Sequence, residues 1–551
     1  MSSNDAREVA GEVPADGVRG LQRHWKGDLL SGLLVFLIAL PLCLGIAMAS
    51  GFPPVAGILT AIVGGVLSTF LGSAPLTIKG PAAGLIVIAI GAVSELGGGA
   101  DGYRRALAVG VVAAGVQIVF ALVRAGKLGD FFPSSVVHGM LAAIGVIIFA
   151  KQFHVMLGVD PGAGGPFHLL AAVPASLATL NPEVALIGAA SLLVLFGLPL
   201  LPFRWAKRVP APMVVLVLAV ALGEHFDLTH PHTYNFQHHD YSIGPDFLVR
   251  LPGSLLDAIA FPDFSQIGSA TSMKYIAMFA LVGSLESLLS TKAVDMLDPD
   301  HRRSNLDRDL FAVGVGNLVA ASIGGLPMIS EIVRSSANVN NGAKTRFANL
   351  FHGLFLLLCV AFIPRLLQHI PLAALAAMLI YTGLRLASPR ELVKTYRIGP
   401  EQLAIFVCTL GVTLATDLLV GVASGIALKI VVHLFNGLPL RAVLRPRIDE
   451  ERDGDTVRLR VREAAVFCNY LGLKRRLDRI DPSVASVVLD LHGTMLVDHT
   501  VMEHLRHLVD DYARAGRSFR LEGLEQHRPL GAHELAARRK RAPPPRQEAS
   551  A

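Results

Sequence analysis

Four charged residues stand inside long apolar stretches: Lys79, Glu286, Glu331 and Arg334. A charge at mid-bilayer depth costs about 3 kcal/mol or more unless it is paired or used. Glu331 and Arg334 share "LPMISEIVRSSANVNNGAKTR", residues 326–346, and Lys79 lies in "LGSAPLTIKGPAAGL", residues 71–85. Both segments open on Gly, Pro and small polar residues, so each predicts a short helix after an extended lead-in. Two such broken helices meeting N-terminus to N-terminus aim free N–H groups and positive dipole ends at one spot. That is the chemistry of an anion site. Its expected lining is Thr77, Lys79, Gly80, Pro81, Ala82, Ala83, Ser330, Arg334 and Ser335.

The two segments also align with each other at a constant offset. Gly72 meets Gly324, Pro75 meets Pro327 and Lys79 meets Glu331. Weak internal symmetry between two Gly/Pro-interrupted segments points to a transporter's midplane site. With Lys79, Glu286, Glu331 and Arg334 all ionised, the site is neutral before an anion enters. A carboxylate beside a bound anion is disfavoured by burial and like charge. Glu331 or Glu286 is therefore expected to take up a proton, or Glu286 to hold sodium, when the anion binds. The competing reading is a Lys79–Glu331 salt bridge joining the two repeats, with Arg334 snorkelling to the cytoplasm and Glu286 as a hydrogen-bonded packing residue.

The elements that must position these groups are membrane spans. The chain has 551 residues, 52% hydrophobic and 17% charged, against about 25% charged in ordinary soluble domains. Mean hydropathy is +0.53. About fourteen spans are expected, at 29–50, 54–72, 75–97, 103–124, 134–157, 183–203, 209–225, 272–292, 308–325, 329–342, 345–365, 370–387, 401–417 and 418–437. Cations collect in alternate loops: Arg124 and Lys127; Arg204, Lys207 and Arg208; Arg302, Arg303 and Arg308; Lys344 and Arg346; Arg385, Arg390, Lys394 and Arg397. By the positive-inside rule both termini are cytoplasmic and the 226–270 loop is outside. The chain is thus expected to be a multi-pass protein of the cell membrane.

Other features read as structural. Cys43, Cys359, Cys408 and Cys468 show neither disulfide nor metal spacing. His138, His352 and Gln117 read as packing polars, and the histidines of "HPHTYNFQHH", 230–239, as a solvated loop. The polar N-terminal segment, 1–27, has no signal-peptide pattern. The net charge of +6 calls for no nucleic acid. No nucleophile–base pair suggests an enzyme, and no cofactor is expected beyond a coupling proton or sodium ion. After the transmembrane region, 28–437, the pattern changes. "TVRLRVREAAVFCNY" alternates like strands and "VMEHLRHLVDDYARAG" is an amphipathic helix, giving a small cytoplasmic α/β domain at 445–530. Residues 531–551, basic and Pro-rich, read as a disordered tail.

These motifs together resemble the SulP family of anion transporters, solute carrier family 26 in animals. The resemblance rests on "GDLLSGLLVFLIALPLCLGIAMASG", "TIKGPAAGL", "SLESLLS", "RSSANVNNGAKT" and "VVLDLHGTMLVDHTVMEHL", the last similar to a STAS domain. It implies a polytopic α-helical membrane protein of fourteen spans. A seven-plus-seven inverted repeat forms core and gate domains, usually in a homodimer. The anion lies between the N-termini of the third and tenth helices, against the first. Arg334 matches the family's tenth-helix basic residue. Glu286 matches an eighth-span acid that forms a cation site in sodium-coupled bicarbonate carriers, with a hydroxyl one turn on, here Ser290. The sequence departs from those carriers at Ser330-Glu331-Ile332, which makes protons the better coupling ion, and at Lys79. The STAS motif reads Asp498-His499-Thr500-Val501, so His499 stands where a phosphorylated Ser would be, and regulation through a cytoplasmic partner or dimer contact is the expected role of this domain. The expected activity is secondary active transport of bicarbonate or sulfate by alternating access. The alternatives are a nucleobase–proton symporter on the same fold, or an anion channel or non-transporting sensor signalling through STAS.

Overall fold

The computed structural model describes residues 17–130, 132–160, 162, 164–203, 209–250, 257–300, 302–481, 483–514 and 516–540. Arg204, Lys207 and Arg208, most of the N-terminal segment (1–16) and the last residues of the tail (541–551) lie outside them. The chain divides into two compact units. One runs up to Gly126 and resumes over Ile144–Leu386; the other comprises Lys127–Ala143 and the chain from Ala387.

The elements of the apolar region, in order, are α1 (Gly17–Ala49), α2 (Pro54–Leu71), β1 (Ile78–Pro81), α3 (Ile86–Glu95), α4 (Gly99–Leu122), α5 (Ser134–Met156), α6 (Pro166–Ala178), α7 (Pro182–Gly197) and α8 (Ala211–His225). A hairpin of β2 (His232–Phe236) and β3 (His239–Ile243) follows, then α9 (Ala270–Leu297), α10 (Leu306–Ser322), β4 (Met328–Glu331), α11 (Ile332–Asn340), α12 (Phe347–Phe362), α13 (Leu372–Leu386), α14 (Pro389–Ile398), α15 (Pro400–Ala415) and α16 (Leu418–Phe435). Each span read from the sequence holds one of these helices. Among the described residues, eight helical stretches are long and apolar enough to cross a membrane by length and composition. The third and tenth spans are each a short strand followed by a short helix, as their Gly/Pro openings require.

Local chemistry sets the boundaries. Ser269, Asn305 and Asp417 cap α9, α10 and α16 by accepting from backbone N–H groups three residues on. Proline at the first helical turn opens α2, α7, α8, α14 and α15. Small residues let helices approach: a Cβ at Gly65 of α2 would lie 2.7 Å from the Gly353 Cα of α12. Helices α6 and α14 and the β2–β3 hairpin lie outside the expected spans. Helix α6 falls where a loop was read, because its length is below that of a span; His154 holds it through Ser176, 2.7 Å away. The β2–β3 hairpin orders the His-rich loop, and no metal-ready group of three or more His, Cys, Asp or Glu side chains occurs among the described residues.

In the second unit, α14, α15 and α16 precede a small α/β domain: β5 (Arg447–Asp453), β6 (Thr456–Ala465), α17 (Phe467–Leu477), β7 (Ser486–Asp490), β8 (Thr494–Val497), α18 (His499–Arg514), β9 (Ser518–Glu522), β10 (His527–Pro529) and β11 (Arg538–Lys540). Strand β6 pairs in parallel with β7 and β8, and β7 with β9, while β5 lies antiparallel to β6. Its core is Val457, Leu459, Val461, Val487, Leu489, Val501, Leu505 and neighbours. One expectation is corrected here. The stretch read as a disordered tail from 531 contains β11, which pairs antiparallel with both β8 and β10. Its basic composition hid a strand that lies between β10, at the sheet edge, and β8.

Candidate functional site

The two broken spans meet as a two-stranded antiparallel ribbon. Ile78 faces Glu331, Lys79 faces Ser330, Gly80 faces Ile329 and Pro81 faces Met328. All eight residues are buried. Extended backbone at membrane depth needs every N–H and C=O satisfied, and polar side chains on neighbouring helices do this. Asn317 of α10 accepts from the Met328 N–H at 2.6 Å and donates to its carbonyl at 3.1 Å, and donates also to Gln117 at 2.8 Å. Asn349 accepts from the Lys79 N–H (3.1 Å), Ser335 from the Ile78 N–H (2.8 Å) and Ser287 from the Ser330 N–H (3.2 Å). Asn338 donates to the Leu76 carbonyl at 2.9 Å and accepts from Ser31 of α1 at 2.7 Å. Gln117 is thus a structural polar, as its isolation in a span suggested.

Strand alternation sends successive side chains to opposite faces. Lys79 and Ser330 share one face. The Lys79 ammonium donates to Thr77 Oγ1 (2.9 Å), Asp309 Oδ2 (2.6 Å) and Ser330 Oγ (2.5 Å). This overturns the Lys79–Glu331 salt bridge. The repeat alignment makes those positions equivalent, but the antiparallel register puts their side chains on opposite faces. Asp309, at the start of α10, is the true partner, and sequence reasoning passed over it as a residue of a polar span end. The charge count changes with it: Lys79 is neutralised by Asp309, leaving Arg334 against Glu286 and Glu331.

The other face carries Gly80 and Glu331. Arg334, at the third position of α11, is 1% exposed, and Nε, Nη1 and Nη2 have no oxygen acceptor among the described residues. Its guanidinium lies on the bare backbone of β1, where a Cβ at Gly80 would collide with Nη1. The Cys43 thiol of α1, a weak acceptor, is its nearest hydrogen-bonding group, and His352 of α12 lies within its electrostatic reach. The Glu286 carboxylate similarly occupies the space a Cβ at Gly84 would need, and its Oε1 has no partner. Glu331 precedes α11 and interacts with the Ala83 N–H. Arg334, Glu286, Glu331 and the Gly80–Ala83 backbone therefore come together. The hydroxyls of Thr77 and Ser330 are committed to Lys79, and that of Ser335 donates to the Glu331 carbonyl at 2.5 Å. Ser290, half-buried on α9, takes no part in the Lys79 network. Ser287 and Thr291, which the sequence reading did not single out, face Ser330 instead.

In the C-terminal domain Asp498 caps α18 through the Val501 N–H (2.8 Å) and accepts from the Phe467 N–H (2.9 Å). Lys429 and His433 of α16 approach its carboxylate at 3.3 and 3.4 Å. Burial opposes its ionisation, but Lys429, His433 and the capping N–H outweigh this and hold it well below the usual carboxylate range. Burial, then Asp498, pushes the Cys468 thiol up to about 12. His499, 4% exposed, bonds the Leu535 carbonyl at 2.7 Å, and Thr500, 1% exposed, accepts from Lys429 at 2.8 Å. Neither side chain presents a surface for modification.

Comparison with known proteins agrees with this architecture. The profile of the sulfate permease family matches residues 25–409. YvdB of Bacillus subtilis, named for sulfate transport, is 27% identical over 75% of this chain and 74% of its own. The bicarbonate transporter BicA of Picosynechococcus is 25% identical over 73% of this chain and 69% of its own. Among solved structures, the transmembrane domain of a cyanobacterial BicA superposes with a TM-score of 0.59 at 23% identity, covering 73% of this chain and 97% of that one. The murine solute carrier 26 member A9 anion transporter, in its inward-facing state, gives 0.66 at 16% identity over 95% of this chain and 89% of that one. The fold is thus that of these fourteen-span inverted-repeat carriers with a C-terminal β-containing domain, and the chain belongs to the sulfate permease family.

Proposed function

We propose that this protein is a secondary active transporter of a small inorganic anion, bicarbonate or sulfate, working by alternating access. The anion sits between the turn that opens α3 and the N-terminus of α11, against Arg334. One observation carries this reading: a guanidinium 1% exposed with no oxygen acceptor among the described residues and only the Cys43 thiol, a weak acceptor, against it. A buried cation without a partner is costly, and an anion supplies what the protein withholds. Two helix N-termini add their N–H groups. The names of the relatives, sulfate for YvdB and bicarbonate for BicA, fit the same substrate class.

The revised charge count sharpens the coupling. With both carboxylates ionised the pocket carries one net negative charge and repels an anion. Protonation of one makes it neutral and of both makes it positive. Proton uptake at Glu286 and Glu331 is the favoured coupling, with sodium at Glu286 and Ser290 as the rival. The carrier is placed in the cell membrane with both termini cytoplasmic. It acts as a homodimer, and its STAS domain, about 445–530, contacts a cytoplasmic regulator or the second copy.

Uptake of labelled sulfate and bicarbonate into proteoliposomes, under an inward proton or an inward sodium gradient, tests this. Proton-driven accumulation that Arg334→Gln removes is the expected result. Equilibration without accumulation under either gradient means a channel. Accumulation that survives Arg334→Gln refutes the site.

A further inference from the structure

The Lys79 cluster has the chemistry of a cation site whose cation is covalently attached. Its direct acceptors are three oxygens, Thr77 Oγ1, Asp309 Oδ2 and Ser330 Oγ, at 2.9, 2.6 and 2.5 Å from Nζ. A second ring closes around them. Thr291 Oγ1 donates to Asp309 Oδ2 at 3.0 Å and lies 2.9 Å from Ser330 Oγ, and Ser287 Oγ lies 3.2 Å from Ser330 Oγ. All six residues are at most 3% exposed. An ammonium has three donors and no acceptor, so three oxygens saturate it. An all-oxygen set with one carboxylate is also what a hard cation selects. These oxygens come from four parts of the fold: the lead-in to β1, β4, α9 and α10.

We propose that the Lys79 ammonium is a built-in substitute for a bound monovalent cation, filling an oxygen-lined site that takes sodium or ammonium once the side chain is removed. Lys79 therefore has no donor left for an anion, and it holds the ribbon and α9–α10 together in every state. The charge cannot leave with the substrate, so no ion is coupled through this cluster. The consequence for transport rests on the reading above; the cation chemistry does not.

The test uses purified full-length protein without any transported anion. Thermal unfolding is followed in sodium, ammonium and choline chloride at equal ionic strength. The wild type is expected to melt at one temperature in all three. Lys79→Ala is expected to melt several degrees lower in choline and to recover, saturably, in sodium or ammonium, and the added change Asp309→Asn is expected to abolish that recovery. Equal melting of Lys79→Ala in all three salts overturns the proposal and leaves a plain structural ion pair. If Lys79→Ala yields folded protein only when produced and extracted with sodium or ammonium, the proposal stands. If it fails in every cation while the double variant Lys79→Met with Asp309→Leu folds, the proposal is wrong. None of these readouts needs transport, so a chain that carries no anion can still pass, and an active carrier can still fail.

Discussion

The two faces of the β1–β4 ribbon hold buried cations under opposite conditions. On one face Lys79 has three oxygen partners, one of them a carboxylate. On the other, Arg334 has no oxygen partner among the described residues. Both are almost fully buried, at 2% and 1% exposure. Burial therefore does not separate structure from function here; satisfaction does. The saturated face joins four elements into one body, and the unsaturated face is where the protein leaves hydrogen-bonding capacity for something else. Glycine marks the second face. Gly80 and Gly84 lack the Cβ that would collide with Arg334 and Glu286, so the charged groups rest directly against backbone.

The contrast makes unequal predictions for removing charge on each side. Asp309→Asn leaves a buried ammonium without its counter-charge and should cost about 3–5 kcal/mol, read as a fall in the denaturation midpoint of the purified protein. Arg334→Met removes a cation that shares its pocket with Glu286 and Glu331 but makes no hydrogen bond to an oxygen among the described residues, so in the anion-free protein it should cost clearly less than Asp309→Asn. A loss of stability as large as that of Asp309→Asn would mean that Arg334 is a structural group and would dissolve the contrast.

A smaller effect is expected on anion affinity. Arg334→Gln should weaken binding roughly 10- to 150-fold, which is the loss of one charge-assisted hydrogen bond at about 1.5–3 kcal/mol. Anion-dependent stabilisation of the protein measures it. Glu286→Gln should act on coupling more than on affinity. With a permanently neutral side chain there, proton-driven accumulation should fall while counterflow of the anion at fixed pH persists. An unchanged response to the proton gradient would remove Glu286 as the carrier of the proton.

Much of this was legible in the sequence. The spans follow from hydropathy, and the two interrupted segments from their Gly and Pro. Arg334 and Glu286 stood out because ionisable residues are rare in such spans. What escaped were facts of register and partnership. Lys79 and Glu331 match when the repeats are laid side by side, but an antiparallel pairing sets Lys79 against Ser330, and a shift of one residue reverses the face. Asp309 follows Asp307 and Arg308 at the end of a charged loop, so nothing local distinguished it from solvated neighbours. Lys429 was equally silent, because its partner Asp498 is 69 positions away in another motif. Strand β11 reads as a basic tail because only its pairing with β8 and β10 makes it a strand.

The Asp498 cap extends the comparison to the second unit with the gentlest of these effects. Like Lys79, it is saturated: two backbone N–H groups, Lys429 and His433 face its carboxylate. Its folded pKa lies well below the ordinary carboxylate value, which is about 3.9 in an unfolded chain. A depressed carboxylate contributes stability that is fully present above the unfolded pKa and is lost as pH falls through the folded one. Between pH 8 and 5 the group should therefore contribute no change at all, and its share should begin to disappear only below about pH 4. Hydrogen exchange at the Val501 and Phe467 amides reports it directly. Protection corrected for intrinsic rate should stay flat across that upper range in the wild type. Protection that falls between pH 7 and 5 would show that the carboxylate is not held in its charged form and that Asp498 does not share the saturation of Lys79.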